Sequence, residues 1–273
     1  DDKKIIGLWE NSVYHNYTGS YPNEREDHVI VSDDNNTKAY IYGGRKSIGE
    51  SDLWSYDGIS RTYSQLQGVP HNGRKDACGG IYNGSLYIIG GIDLITKEYQ
   101  NDVWRYDISA NMWEKVWDFE SCTNAGQQCP PTREDAACIP SMTGKGIVMF
   151  GGSSVDGSNF DDTWIFQENT WVELNMAIRP PKSEDSVFVL ASDHQEGILH
   201  GGIEQSRFLG GTWLLHMHEN DLSKWTWSFV SAVHPAKKLK DHCGAYVSGY
   251  YYSFGGEIEK TQKSNALFVW NYS

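Results

Sequence analysis

The sequence predicts an all-β chain folded as a five-bladed β-propeller, each blade a four-stranded antiparallel meander. Three observations carry that expectation. A diglycine returns five times, as Gly43-Gly44, Gly90-Gly91, Gly151-Gly152, Gly201-Gly202 and Gly255-Gly256, at a period of roughly fifty residues. Each closes a run of strand character (AYIY, LYII, IVMF, GILH, YYSF) and precedes an aromatic third run: LWSYD from Leu53, VWRYD from Val103, TWIF from Thr163, TWLL from Thr212 and ALFVW from Ala266. An aspartate opens every first run: Asp27, Asp76, Asp135, Asp185 and Asp241.

One unit shows how the strands are cut. After Asp76 comes an apolar run, then Asn83-Gly84, a pair suited to a tight hairpin because both residues tolerate positive φ. Leu86 to Ile89 forms the second strand, Val103 to Tyr106 the third, and the segment around Trp113 the fourth. On this template the blades cover 22–68, 69–119, 130–177, 180–233 and 236–273, the last together with 4–14, and the whole chain 1–273 is one domain. The fifth unit ends after its third strand, while Ile5-Ile6-Gly7-Leu8-Trp9 has the character of a fourth. The N-terminal strand is therefore expected to complete the C-terminal blade and remove open sheet edges. A truncated six-blade protein is the competing expectation.

With the diglycines, the third-strand aromatics and the fourth-strand aromatics (Tyr63, Trp113, Trp171, and Trp225 or Trp227), the chain resembles a kelch-repeat propeller over nearly all its length. Kelch propellers usually have six or seven blades, and this chain shows five. The resemblance implies a peptide-binding mouth lined by the first-strand aspartate slot and by the residue after each diglycine. Here those following residues are Arg45, Ile92, Ser153, Ile203 and Glu257.

Composition narrows the partner. Hydrophobic residues make up 39% and charged residues 22% of 273, enough for a packed core. The net charge of -13 argues against nucleic acid, whose phosphates need concentrated Lys and Arg. The densest basic cluster is Lys237-Lys238 with Lys240. No apolar run is long enough to span a bilayer. No cleavable signal starts at Asp1, and the missing initiator methionine is expected of a processed or trimmed product.

Cysteines and sequons bear on compartment. Cys122 and Cys129 flank a polar loop, CTNAGQQC, where a disulfide would staple an excursion. Cys78, Cys138 and Cys243 lie on first strands and are expected as buried thiols acting as small apolar groups. Asn16, Asn35, Asn83 and Asn271 each begin a glycosylation sequon, and Asn35 and Asn83 fall in turns. Together these features point to a secreted or extracellular glycoprotein, with a cytoplasmic protein as the alternative.

The recurring aspartate is the sharpest candidate feature. Ring symmetry would gather five carboxylates near the mouth of the central channel. Either they tie blades together, with Arg25, Arg74 and Arg133 two residues upstream as partners, or they form an acidic well for a metal ion, an amine or a Lys/Arg-bearing peptide. Glu26, Glu134 and Glu184 precede three of them and are expected as solvated or paired surface carboxylates. His216 and His218 alternate along a third strand but lack a third ligand at workable spacing, and His194, Glu196 and His200 fall across a turn. No nucleophile elbow, phosphate loop or Cys-x-x-Cys is present, and no cofactor is expected. The chain thus reads as a binding or scaffold module for a protein or peptide, expected to be cationic. Lectin-like glycan binding and an enzyme working in the central well are the alternatives.

Overall fold

The computed structural model describes residues 20–33, 37–45, 51–125, 128–141, 144–191, 195–230, 238–259 and 262–272. Five antiparallel sheets follow one another along the chain as the blades of a β-propeller ring. The first blade comprises Val29–Ser32, Lys38–Tyr42, Leu53–Asp57 and Thr62–Gln65. The second comprises Cys78–Tyr82, Ser85–Ile89, Val103–Asp107 and Met112–Trp117. The third is built from Ala137–Pro140, Ile147–Phe150, Thr163–Gln167 and Thr170–Glu173, and the fourth from Val187–Ala191, Glu196–His200, Thr212–His216 and Thr226–Val230. In the fifth, Tyr250–Glu259 pairs with Lys240–Val247 on one side and with Leu267–Asn271 and the short Gln262–Lys263 on the other. The expected closing strand Ile5 to Trp9 lies outside the described residues.

Why the diglycines recur is visible in the backbone. Gly151 and Gly152 both have positive φ, and the two face different neighbours. A Cβ on Gly151 would stand 2.4 Å from the Ser183 carbonyl of the next blade; one on Gly152 would stand 2.6 Å from the Glu134 carbonyl of its own. The missing side chains let neighbouring blades meet backbone to backbone at these points. Gly44, Gly91, Gly152 and Gly202 donate to the carbonyls of Arg74, Arg133, Ser183 and Leu239, at 2.7–2.9 Å. The seam beyond the fifth blade differs: a Cβ on Gly255 would meet nothing nearer than the Ser264 carbonyl at 3.8 Å.

The core lies between blades. Second strands Ser85–Ile89 and Ile147–Phe150 are buried at every position, because both faces of each sheet are covered by neighbours. Fourth-strand aromatics reach back to the preceding blade: Trp113 lies 5.8 Å from Tyr42 and Trp227 lies 5.5 Å from Phe150, ring centre to ring centre. Trp227 pairs with Leu215 and so takes the fourth-strand slot, which leaves Trp225 at the cap of a short helical turn.

Two expectations about cysteine change. Cys122 and Cys129 are joined as expected, with Cys122 on a helix, Phe119–Ala125, that the sequence reading took as plain loop. Cys78 and Cys138, expected as separate thiols, form a second disulfide, because the ring sets the inner strands of the second and third blades side by side with these Cα atoms 5.5 Å apart. Cys243, expected as buried, is exposed and is a free cysteine.

Candidate functional site

At the start of each blade the chain makes the same small excursion. The residue before each aspartate bridges to the residue after a diglycine: Glu26 to Arg45, Lys75 to Ile92, Glu134 to Ser153, Glu184 to Ile203 and Lys240 to Glu257. The chain then steps out of the ladder. Asp27, Asp76, Asp135, Asp185 and Asp241 all adopt positive φ, between 52° and 58°, a conformation Asp tolerates better than most residues. Successive aspartates are also joined through the backbone, Asp76 N–H donating to the Asp27 carbonyl at 3.1 Å and Asp135 N–H to that of Asp76 at 2.9 Å. The repeat therefore does place equivalent carboxylates in equivalent positions.

Their compensation is uneven. Arg45 lies 2.7 Å from Asp27 and 3.0 Å from Glu26. Lys75 bonds Asp76 and comes within 3.8 Å of Glu134. Lys240 serves three acids: Asp185 and Asp241 at 3.0 Å each, and Glu257 at 3.9 Å. Among the described residues Asp135 has no cationic partner. One oxygen from each of Asp76, Glu134 and Asp135 lies within 4.8 Å of the others, and the Tyr99 hydroxyl donates to Glu134 at 2.6 Å.

Crowding and burial raise the affinity of these acids for protons. Burial, with Asp27 and Glu134 adding to it, pushes Asp76 up to about 6 despite Lys75. Asp185 rises to about 7, through burial and then Asp241, against the pull of Lys240. Asp135 moves furthest, to about 10, from burial and then the charges of Asp185, Asp76, Glu134 and Glu184. Burial and mutual repulsion thus favour the protonated form of Asp135 most strongly within this cluster. Such a cluster can accept an ammonium or guanidinium group, and its hard oxygens also suit a divalent cation.

Arg25, Arg74 and Arg133 do something other than the expected tie between blades. Their side chains are only 4%, 3% and 2% exposed. Each makes a bidentate pair with an acid of its own blade: Arg25 with Asp52 (2.6 and 3.0 Å), Arg74 with Asp102 (2.5 and 2.8 Å) and Arg133 with Asp162 (both 2.7 Å). Nη1 also donates to the first diglycine carbonyl, of Gly43, Gly90 and Gly151 respectively. The same acids accept the indole N–H of Trp54, Trp104 and Trp164. Burial works to raise the Asp52 carboxyl, but the bonds from Arg25 and Trp54 outweigh it and hold the group below its usual range. This Arg–Asp–Trp brace was missed from sequence, although Asp-x-Trp recurs in phase at 52–54, 102–104 and 162–164.

The residues after the diglycines divide by exposure. Arg45 is half exposed and Glu257 keeps 17% of its side chain in solvent. Ser153, Ile92 and Ile203 are buried. His216 bonds Glu196 and Ser228, whereas His218 lies past the end of its strand, so the two do not face one another from one strand as expected. Asn83 stands exposed in its turn and Asn271 on an exposed strand position; Asn16, Asn35 and His194 lie outside the described residues.

Comparison with known proteins places these features. Residues 8–202 match the KLHDC2/KLHL20/DRC7 Kelch-repeats domain. Human kelch domain-containing protein 1 is 26% identical over 243 residues, covering 75% of this chain and 55% of the relative. An Arabidopsis thaliana F-box/kelch-repeat protein is 32% identical over 114 residues (38% of this chain, 23% of the relative), and rat kelch domain-containing protein 3 is 32% identical over 86 residues (32% and 20%). The chain thus spans about half the length of the first of these relatives, and less of the others.

Proposed function

The chain belongs to the kelch-repeat domain family, and from that premise we propose that it is a binding module that receives a cationic protein or peptide segment at the mouth of its ring. Kelch propellers generally mediate contacts between proteins, which is the coarse part of this reading. Charge supports the finer part. Around the mouth Asp27, Asp76, Asp135, Asp185, Asp241, Glu134 and Glu257 face three cations, Arg45, Lys75 and Lys240. The observation that carries the reading is Asp135, half-buried among like charges with no cation paired to it among the described residues. A Lys or Arg side chain from a partner would supply the missing charge, displace the proton, and satisfy several carboxylates at once.

The test compares fluorescently labelled Lys-rich, Glu-rich and neutral peptides by anisotropy, alongside a glycan array. The Lys-rich peptide should bind most tightly, weaken with added salt, and lose about tenfold in affinity when Asp135→Asn and Asp185→Asn are combined. Binding of the Glu-rich peptide unaffected by those changes would overturn the proposal, and a glycan signal with no response to peptides would assign the surface to sugars.

Secretion belongs to the same proposal. Two disulfides and an exposed Asn83 sequon suit an oxidising, glycosylating compartment. Expression through a secretory host should yield a product whose mass falls on deglycosylation and in which Asn83→Gln removes one glycan; an unmodified Asn83 would contradict it.

A further inference from the structure

The fourth blade carries the mould of a brace it does not contain. Where the first three blades have Arg, Asp and Trp, the fourth has Ser183, Gly211 and Trp213, so both charged partners are absent and the indole remains. The space is open: a cavity of about 220 Å³ lies there, lined by Ser183, Gly201, Gly211 and Trp213 together with Pro180, Leu209 and Phe229. Leu209 sits where Phe160 stacks 4.2 Å from the Arg133 guanidinium in the third blade. The cavity is thus the volume of an absent ion pair, walled mainly by apolar groups.

The polar balance of the cavity indicates what would fill it. In the first three blades the first diglycine carbonyl is served by arginine; here Ser186 Oγ donates to the Gly201 carbonyl at 3.2 Å and can accept from Ser183 Oγ, 3.0 Å away. The acceptors are therefore satisfied. The donor has no protein partner: among the described residues the half-buried Trp213 indole N–H has no acceptor and opens onto the cavity, whereas Trp54, Trp104 and Trp164 each have an aspartate. A Cβ placed on Gly211 would stand 3.2 Å from Trp213 Nε1, which is where such an aspartate would begin. Arg207, with 63% of its side chain exposed, lines the cavity and pairs with Glu204, and the stem of Lys238 runs past Gly210.

We propose that this cavity on the fourth blade binds a carboxylate carried on a compact apolar body. The carboxylate accepts from Trp213 Nε1 and lies toward Arg207, replacing the absent aspartate, while the apolar body lies among Pro180, Leu209 and Phe229. The ligand chemistry is opposite in charge to that proposed for the ring mouth, and the site does not depend on it.

The test follows the indole N–H resonances by ¹H–¹⁵N NMR, with Trp213→Phe assigning the one that matters. Phenylacetate is the free acid probe, phenylacetamide its uncharged control, and acetyl-Leu-Glu-Leu-amide a chain whose single carboxylate is on a side chain. Phenylacetate should move the Trp213 resonance while leaving those of Trp54, Trp104 and Trp164 in place. Affinity, read from the Leu209 backbone amide in the same spectra, should fall about tenfold in Trp213→Phe, which loses the donor, and in Gly211→Asp, which supplies the carboxylate in cis. Arg207→Gln should weaken binding about threefold, and phenylacetamide should bind more weakly than the acid. A shift with phenylacetate alone assigns the site to small acids, and one with the peptide as well extends it to a partner's acidic side chain. No shift with either probe, equal affinity for phenylacetamide, or undiminished binding by a folded Gly211→Asp variant would overturn the proposal.

Discussion

The third and fourth blades share strand order and diglycine, yet one holds a buried Arg133–Asp162 pair and the other a cavity bounded by Ser183 and Gly211. Both form a four-stranded sheet. The ion pair is therefore a local brace and is not what makes a blade. Removing both partners together leaves no orphaned charge, which is how the fourth blade can do without it; removing one would leave a buried charge unpaired. The same reasoning separates the braces from the aspartate cluster, where among the described residues Asp135 is left without a cationic partner.

The largest expected effect breaks a brace. Arg133→Met should destabilise the protein by about 3 kcal/mol in urea unfolding, because Asp162, 14% exposed, is left in the blade without its partner. Adding Asp162→Gly should recover part of the loss, since the double variant imitates the fourth blade. Ser183→Ala, in the blade without the pair, should cost about 1 kcal/mol or less. Equal costs in the two blades would end the comparison.

The two disulfides offer a second contrast. Cys78–Cys138 spans 60 residues and joins two blades, whereas Cys122–Cys129 spans 7. Loss of the longer link, as Cys78→Ser with Cys138→Ser, should cost about 2–4 kcal/mol, and loss of the shorter one less. Thermal melts of the two double variants would read the difference, and a larger loss from the shorter loop would reverse it.

A smaller effect belongs to the mouth. The folded state holds the Asp135 proton far above the ordinary carboxylate range, so between the unfolded value near 4 and the folded value the native chain binds more protons. Stability from this group is fully present below the unfolded value and is lost as pH rises. Asp135→Asn should therefore raise stability by about 1–3 kcal/mol at pH 8 and leave it little changed at pH 4. A loss at pH 8 would show that the carboxylate is already compensated.

The blade repeat was legible because glycine is demanded wherever φ is positive and a neighbouring carbonyl presses close, as at Gly151 and Gly152. The aspartate ring was legible for the same reason, one slot repeated in phase. The roles of Arg25, Arg74 and Arg133 were not. Reading along the chain tied each to the acid two residues away, while folding brings it to Asp52, Asp102 or Asp162, 27 to 29 residues on. Cys78 and Cys138 were misread likewise, because only the ring makes inner strands of different blades adjacent. The cavity of the fourth blade could have been found by noting that the arginine and the Asp-x-Trp aspartate disappear together, as Ser183 and Gly211.

The central claim, that the mouth holds a proton until a cation replaces it, is tested most directly by isothermal titration calorimetry of a Lys-rich peptide at pH 8 in two buffers of different ionisation enthalpy. Proton release on binding is the predicted result, abolished or sharply reduced in Asp135→Asn. Binding with no proton exchange, unchanged by that substitution, would contradict it.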